Sequence, residues 1–155
     1  MPQLNLDDLK SALDIERAFR SQLYNSDPGG YHSLELNSPL RFFLDPISAT
    51  HRAFGSRSDS GTLNSFVAAH ASIDVDIVFI SYWAETPHES AMTEILREAF
   101  NWASGLGYQQ FYFWVLRSQH DFFHAHIRAM NRKARLVEEI ESGSRTFFHS
   151  FWPNL

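Results

Sequence analysis

A single mixed α/β domain whose sheet contains one parallel crossover is what the sequence predicts, and three observations carry the prediction. An apolar stretch at 73–82 precedes an amphipathic helical pattern at 89–104, which in turn precedes an aromatic, β-rich stretch at 108–116. A helix joining two strands of one sheet makes them parallel and the crossover right-handed. Hairpin signals stand on either side of this unit, at Ser58-Asp59-Ser60-Gly61 and at Ser142-Gly143-Ser144, so the rest of the sheet is expected to be mostly antiparallel.

The elements follow in order. Leu6, Leu9, Ala12, Leu13, Phe19 and Leu23 recur at spacings near three and four, with Asp7 and Asp8 in the first turn, and predict a helix over 6–24. Asn25-Ser26-Asp27-Pro28-Gly29-Gly30 ends it, because Pro lacks a backbone donor and paired Gly favours a turn. Over 31–54 the short apolar groups Leu34 and Leu36, then Leu40, Phe42, Phe43 and Leu44, are broken by Asn37, Pro39 and Pro46, which suggests short strands or irregular structure. Strands at 48–57 and 62–72 flank the first turn. The run at 73–82 alternates and then turns solidly apolar, as a strand does on entering the covered centre of a sheet. Gly105 or Gly107 closes the helix that begins near Glu89. A second helix is expected over 119–133, and strands at 136–141 and 145–152 close the chain as a hairpin.

The 155 residues, 44% hydrophobic and 20% charged, suit one domain spanning 1–155 and exclude a disordered tail. No apolar run approaches the roughly 20 residues that cross a bilayer. The first ten residues lack the basic and apolar blocks of a signal peptide, so a cytoplasmic location without membrane contact is expected. The absence of Cys removes disulfides, thiolate nucleophiles and every zinc site built on sulfur. A formal net charge of -5 disfavours wholesale wrapping of nucleic acid.

Several groups could carry chemistry. Asp74 and Asp76 alternate with Ile73, Val75 and Ile77, which would put both carboxylates on one strand face and make Asp76 a candidate base. More often such acids only solubilise a strand edge. Tyr82 and Trp83 end the same strand and could grip an acyl chain or an aromatic substrate, although core packing is the commoner job. His120 and His124 stand four apart near Asp121 and His126. The pair could hold a metal only with a third ligand such as His88 or His149, so no metal is expected. Arg117, Arg128, Arg132, Lys133 and Arg135 place five of the thirteen basic side chains within nineteen residues. Such a patch would meet phosphate, or else form a solvated helix face balanced by Glu138, Glu139 and Glu141. Phe147, His149 and Phe151 alternate with Phe148, Ser150 and Trp152, so the last strand is apolar on both faces. It is therefore either sandwiched in the core or paired with a second copy, and a homodimer is expected.

Ile77-Val78-Phe79-Ile80-Ser81 ahead of a helix, Trp102-Ala103-Ser104-Gly105-Leu106-Gly107-Tyr108 ending it and opening a strand, and a closing hairpin from Leu136 form a family pattern. It resembles the GCN5-related N-acyltransferase superfamily over about 31–152, best from Asp76 onward. The resemblance implies an acyltransferase that moves an acyl group from acetyl-CoA or a similar thioester to an amine on a small molecule or protein. It further implies that a backbone amide near Ser81, Tyr82 and Trp83 holds the oxyanion. Asp76 or His124 would serve as base, with Tyr82 or Asn131 near the leaving group. The donor's phosphates would meet the amides of His88, Glu89, Ser90 and Ala91, with Arg117 and Arg128 nearby. The family's loop reads Q/R-x-x-G-x-G/A. Here the stretch is Thr86-Pro87-His88-Glu89-Ser90-Ala91, where only Ala91 matches, Glu89 takes the first Gly position and Pro87 lacks an amide proton. The family's Tyr of the last helix falls near Asn131, which carries no ionisable proton. These departures leave a second expectation, a non-catalytic module of the same fold. It would bind a protein or nucleic-acid partner through Arg117, Arg128, Arg132, Lys133 and Arg135 and the aromatic C-terminus.

Overall fold

The computed structural model describes residues 3–26, 40–45, 47–72, 74, 77–85, 91–108, 110–116, 125–126, 128–129, 133–140 and 145–151. A 3-10 turn, Leu6–Asp8, leads into helix α1, Leu9–Ser26. The Asn5 side chain accepts from the Asp7 N–H and the Asp8 carboxylate accepts from the Asn5 N–H, a reciprocal capping box that starts the helix sharply. Helix α2, Leu40–Leu44, stands where short strands or irregular structure were expected. Its buried residues are Leu40, Phe43 and Leu44, with Phe42 exposed between them, which is helical spacing on a single apolar face.

Six strands form one sheet in the order β1-β2-β3-β4-β6-β5. They are β1 (His51–Arg57), β2 (Leu63–Ser72), β3 (Ile77–Glu85), β4 (Gln110–Leu116), β5 (Lys133–Ile140) and β6 (Arg145–Phe151). Every neighbouring pair is antiparallel except β3 and β4, which are parallel and joined through helix α3, Met92–Gly105. The fold class expected from the sequence is therefore the one found.

Several details differ from the expectation. Ser72, the last residue of β2, pairs with Ile77, the first of β3, and Asp74 between them sits in a turn rather than on the central strand, while Ile73, Val75 and Asp76 lie outside the described residues. Tyr108 belongs to the helix end: its N–H reaches the Ala103 carbonyl at 3.0 Å, and Gly107, at φ 92, makes the left-handed step before it. Lys133 opens β5, so Lys133 and Arg135 lie on a strand and not on the expected helix, of which 125–126 and 128–129 are seen as helical. The closing strand β6 is inserted between β4 and β5, with both edges hydrogen-bonded within the chain. That placement accounts for its two apolar faces and removes edge pairing of β6 with a second copy as their cause.

Both faces of the sheet carry helices. On one, Val67, Ala69, Val78, Ile80 and Phe111 pack with Met92, Leu96, Ala99 and Phe100 of α3. On the other, Ala53, Phe66, Ala68 and Ala84 pack with Ala12 and Ile15 of α1 and Leu40, Phe43 and Leu44 of α2. Strand β2 is buried without a break from Leu63 to Ala69 because it alternates between these two cores. Before α1 the chain runs beside β1: the Leu4 N–H donates to the Ala53 carbonyl at 2.8 Å. Gly55 leaves room for this approach: a Cβ there would lie 2.7 Å from Leu63 Cδ1 and 3.0 Å from Leu4 Cδ2, and those side-chain ends would have to shift. Asp8 and Arg57 form an ion pair that ties the start of α1 to the end of β1. Among the described residues no helix is long and apolar enough to cross a membrane.

Candidate active site

Strand β3 is held differently on its two edges. Against β2 its pairing extends from Ile77 to Glu85, whereas against β4 the register covers Val78, Phe79 and Ile80 only. Beyond Ile80 the two parallel strands part, β3 staying with β2 and β4 staying with β6 out to Leu116. The parting coincides with a β-bulge, since Ala69 pairs with Ile80 but Ala68 pairs with Tyr82, leaving Ser81 as the extra residue. A bulge disrupts the ladder locally and bends its strand, so backbone polar groups are redirected at this one point. Carboxyl ends of parallel strands are where open α/β sheets bind ligands.

The elements that follow the two strands bound this opening. Helix α3 begins at Met92, and Ala91 ahead of it supplies no side-chain cap, so its first amides and the positive end of its dipole have no capping side chain from that residue. Thr93, in the first turn, has its Oγ1 2.5 Å from Nδ1 of His126, which comes from the helical residues after β4. Burial lowers the His126 pKa, with the Glu94 carboxylate pulling partly the other way, so a neutral imidazole is favoured at neutral pH. Trp83, half-buried two residues beyond the bulge, packs against the α3 core and also meets Phe19 of α1, with ring centroids 5.0 Å apart at 59°. It therefore joins the two cores at the lip of the opening.

The residues singled out in the sequence fall as follows. Ser81 and Tyr82 are at the bulge by backbone position, and Trp83 and Ala91 stand at the two borders of the opening. Arg128 is exposed on the helical segment that also carries His126. Asp76, His88, Glu89, Ser90, Arg117, His124, Asn131 and Arg132 lie outside the described residues, as do His120 and Asp121. Sequence reasoning passed over Thr93 and assigned no role to His126. Their link joins side chains 33 positions apart, a separation that leaves no periodic signal. Among the described residues no group of three His, Asp or Glu side chains is arranged to hold a metal ion.

A mostly antiparallel sheet with one parallel seam, a bulge where that seam opens, and a helix starting beside it define the fold of the GCN5-related N-acetyltransferases, and solved structures of that class superpose on the chain. The PaiA N-acetyltransferase of Thermoplasma acidophilum, solved with coenzyme A, matches at a TM-score of 0.72 and 15% identity, over 96% of this chain and 96% of that one. The diaminobutyrate acetyltransferase EctA of Paenibacillus lautus, solved with L-2,4-diaminobutyric acid and coenzyme A, matches at 0.66 and 14%, over 99% and 95%. A GCN5-related N-acetyltransferase of Kribbella flavida matches at 0.66 and 10%, over 97% and 95%. At such identities the likeness is one of fold. No protein-family model and no curated protein sequence matches the chain.

Proposed function

We propose that the chain is an N-acyltransferase that binds an acyl-CoA thioester in the opening between β3 and β4 and transfers the acyl group to an amine. The observation that carries the reading is the coincidence of the bulge at Ser81 with the end of the parallel pairing at Ile80. A thioester arm lying between the parted strands would have its carbonyl beside a backbone N–H released by the bulge. That donor stabilises the oxyanion formed when the amine lone pair attacks. Collapse of the intermediate breaks the C–S bond and expels the thiolate, and the nitrogen sheds its proton to a base. Asp76 and His124 remain candidates for that base, and His126 joins them as a neutral imidazole fixed by Thr93. Tyr82 or Asn131 would stand near the leaving sulfur. The start of α3 from Ala91, with His88, Glu89 and Ser90 before it, would face the phosphates, aided by Arg117 and Arg128. The uncapped Ala91 suits an anion, and Trp83 would line the wall against the acyl group or the acceptor.

Two solved neighbours are complexes with coenzyme A and one also holds L-2,4-diaminobutyric acid, which supports a small amine as acceptor here. Pro87 and Glu89, in place of an amide donor and a Gly, favour a second reading: a non-catalytic module of this fold that meets a protein or nucleic-acid partner through Arg117, Arg128, Arg132, Lys133 and Arg135. Self-association as a homodimer would have to use surfaces other than the edges of β6. Calorimetric titration with acetyl-CoA, followed by a thiol-release assay over a panel of mono- and diamines, separates the two. Saturable binding with amine-dependent thiol release is the expected result. No heat at millimolar acetyl-CoA would end the enzyme reading.

A further inference from the structure

We propose that the stacked side chains of His51 and His70 form an acid-sensitive latch that holds α2 and the start of β1 against the sheet and lets them go when either ring takes up a proton. The two residues are directly opposite in the β1–β2 ladder, and their rings lie 4.2 Å apart at 12°, nearly face to face. His51 also meets the ring of Phe43, the buried anchor of α2, edge-on with centroids 4.9 Å apart. One imidazole thus touches the neighbouring strand and the helix above it.

The surroundings favour neutral rings. His51 Nδ1 lies 3.0 Å from Ser48 Oγ and 3.1 Å from Thr50 Oγ1, while Ser48 Oγ already accepts from the His51 N–H at 3.1 Å. The Ser48 hydroxyl, accepting from the amide, still has its own proton to donate, and a neutral ring protonated on Nε2 can receive it at Nδ1, whereas a doubly protonated ring cannot. The Arg52 guanidinium donates to the carbonyls of Ser48 and His51, so a fixed positive charge occupies the same corner. Charged residues near the pair along the chain include Arg41 of α2, Asp45 just after it and Asp74 in the turn after β2. Strand β1 also carries Arg57, held by Asp8, and β3 ends at Glu85. The helices packed on these strands carry Lys10, Asp14, Glu16, Arg17 and Arg20 (α1) and Glu94, Arg97 and Glu98 (α3). Asp45 is engaged with the Ile47 N–H, and among the described residues no carboxylate bonds to either ring. A proton on one ring would therefore stand against a second imidazole and near Arg52 with no anion to answer it. Burial lowers the pKa of both rings, and His70 lowers that of His51 further. A group whose folded pKa lies below its unfolded one gives its full stability above the unfolded value of about 6.5, and loses it as pH falls through the folded pKa.

The test is thermal unfolding of the full chain across this range, with amide exchange corrected for its intrinsic pH dependence. The midpoint should fall by about 3 °C or more between about pH 7.5 and pH 5.5, and either His51→Gln or His70→Gln should at least halve that fall. Exchange at residues 40–57 should quicken about tenfold relative to α3 over the same interval. Equal pH slopes in wild type and both variants, or exchange rising in parallel in the two regions, would overturn the proposal. Should neither variant fold, imidazole proton resonances of the wild-type chain decide. Two mutually dependent titrations below the free-histidine value support the latch, and independent titrations at or above it refute it.

Discussion

Strand β3 is one element with two unlike edges, and the contrast separates a part of the fold that is fully paired from the part where the proposed chemistry would take place. Its antiparallel edge is paired with β2 from Ile77 to Glu85, and β2 is buried on both faces along Leu63 to Ala69. Its parallel edge is paired with β4 over Val78, Phe79 and Ile80 alone. A strand anchored along its whole length on one side can be left unpaired on the other without fraying. The antiparallel half bears the load and the parallel seam is free to open.

The largest test of that division is Phe66→Ala. Phe66 is fully buried on β2, pairs with Ala84 and sits in the core shared with α1 and α2. Its truncation should cost about 3–5 kcal/mol in urea unfolding, a large share of the about 5–15 kcal/mol that holds a typical domain. A loss below about 1.5 kcal/mol would mean that the load is carried elsewhere. Deleting Ser81 probes the other edge. Ala69 pairs with Ile80 and Ala68 with Tyr82, so removing the residue between them restores a regular ladder and keeps the register on either side. The chain should fold and unfold cooperatively, while turnover with acetyl-CoA drops about a hundredfold, the usual cost of losing one oxyanion donor. Unchanged turnover would separate the bulge from the chemistry.

Legibility in the sequence follows the same division. Helix α3 and the strands around it were readable because their signal is local: Ile95, Leu96, Ala99 and Phe100 repeat at helical spacing, and Gly107 takes the left-handed position that closes the helix. The parallel seam followed from that order by chain geometry. Helix α2 was missed because five residues between Pro39 and Pro46 offer a single turn of periodicity, and the two prolines read as breakers. Asp74 looked like a strand residue because it alternates with apolar neighbours, yet it sits in a turn between the paired Ser72 and Ile77. At the opening the apolar run marked the strand that parts from its neighbour, although that strand continues past Tyr82 and Trp83 to Glu85. Neither the bulge at Ser81 nor the insertion of β6 between β4 and β5 has a local signature, because both depend on which strands pair.

Gly55→Ala asks how tightly the loaded half is closed. The added methyl would meet Leu63 and Leu4, whose side chains must shift to admit it, so a loss of about 1–3 kcal/mol is expected in the same unfolding measurement. Turnover at saturating donor should stay as it is, because β1 lies two strands from the seam.

The smallest effect belongs to Thr93→Val, which keeps the shape of the side chain and removes the hydroxyl that meets His126. A net hydrogen bond of this kind is worth about 0.5–1.5 kcal/mol, so the global unfolding curve should barely move. The two elements it joins leave from the two strands that part, and a looser link should be felt at the opening as a KM for acetyl-CoA raised about threefold to tenfold, with kcat changed less. Thr93→Ser, which restores the hydroxyl, should bring KM back. If Val and Ser behaved alike in kinetics while both lowered stability, the link would belong to the loaded half of the molecule, and the division drawn along β3 would have to be moved beyond α3.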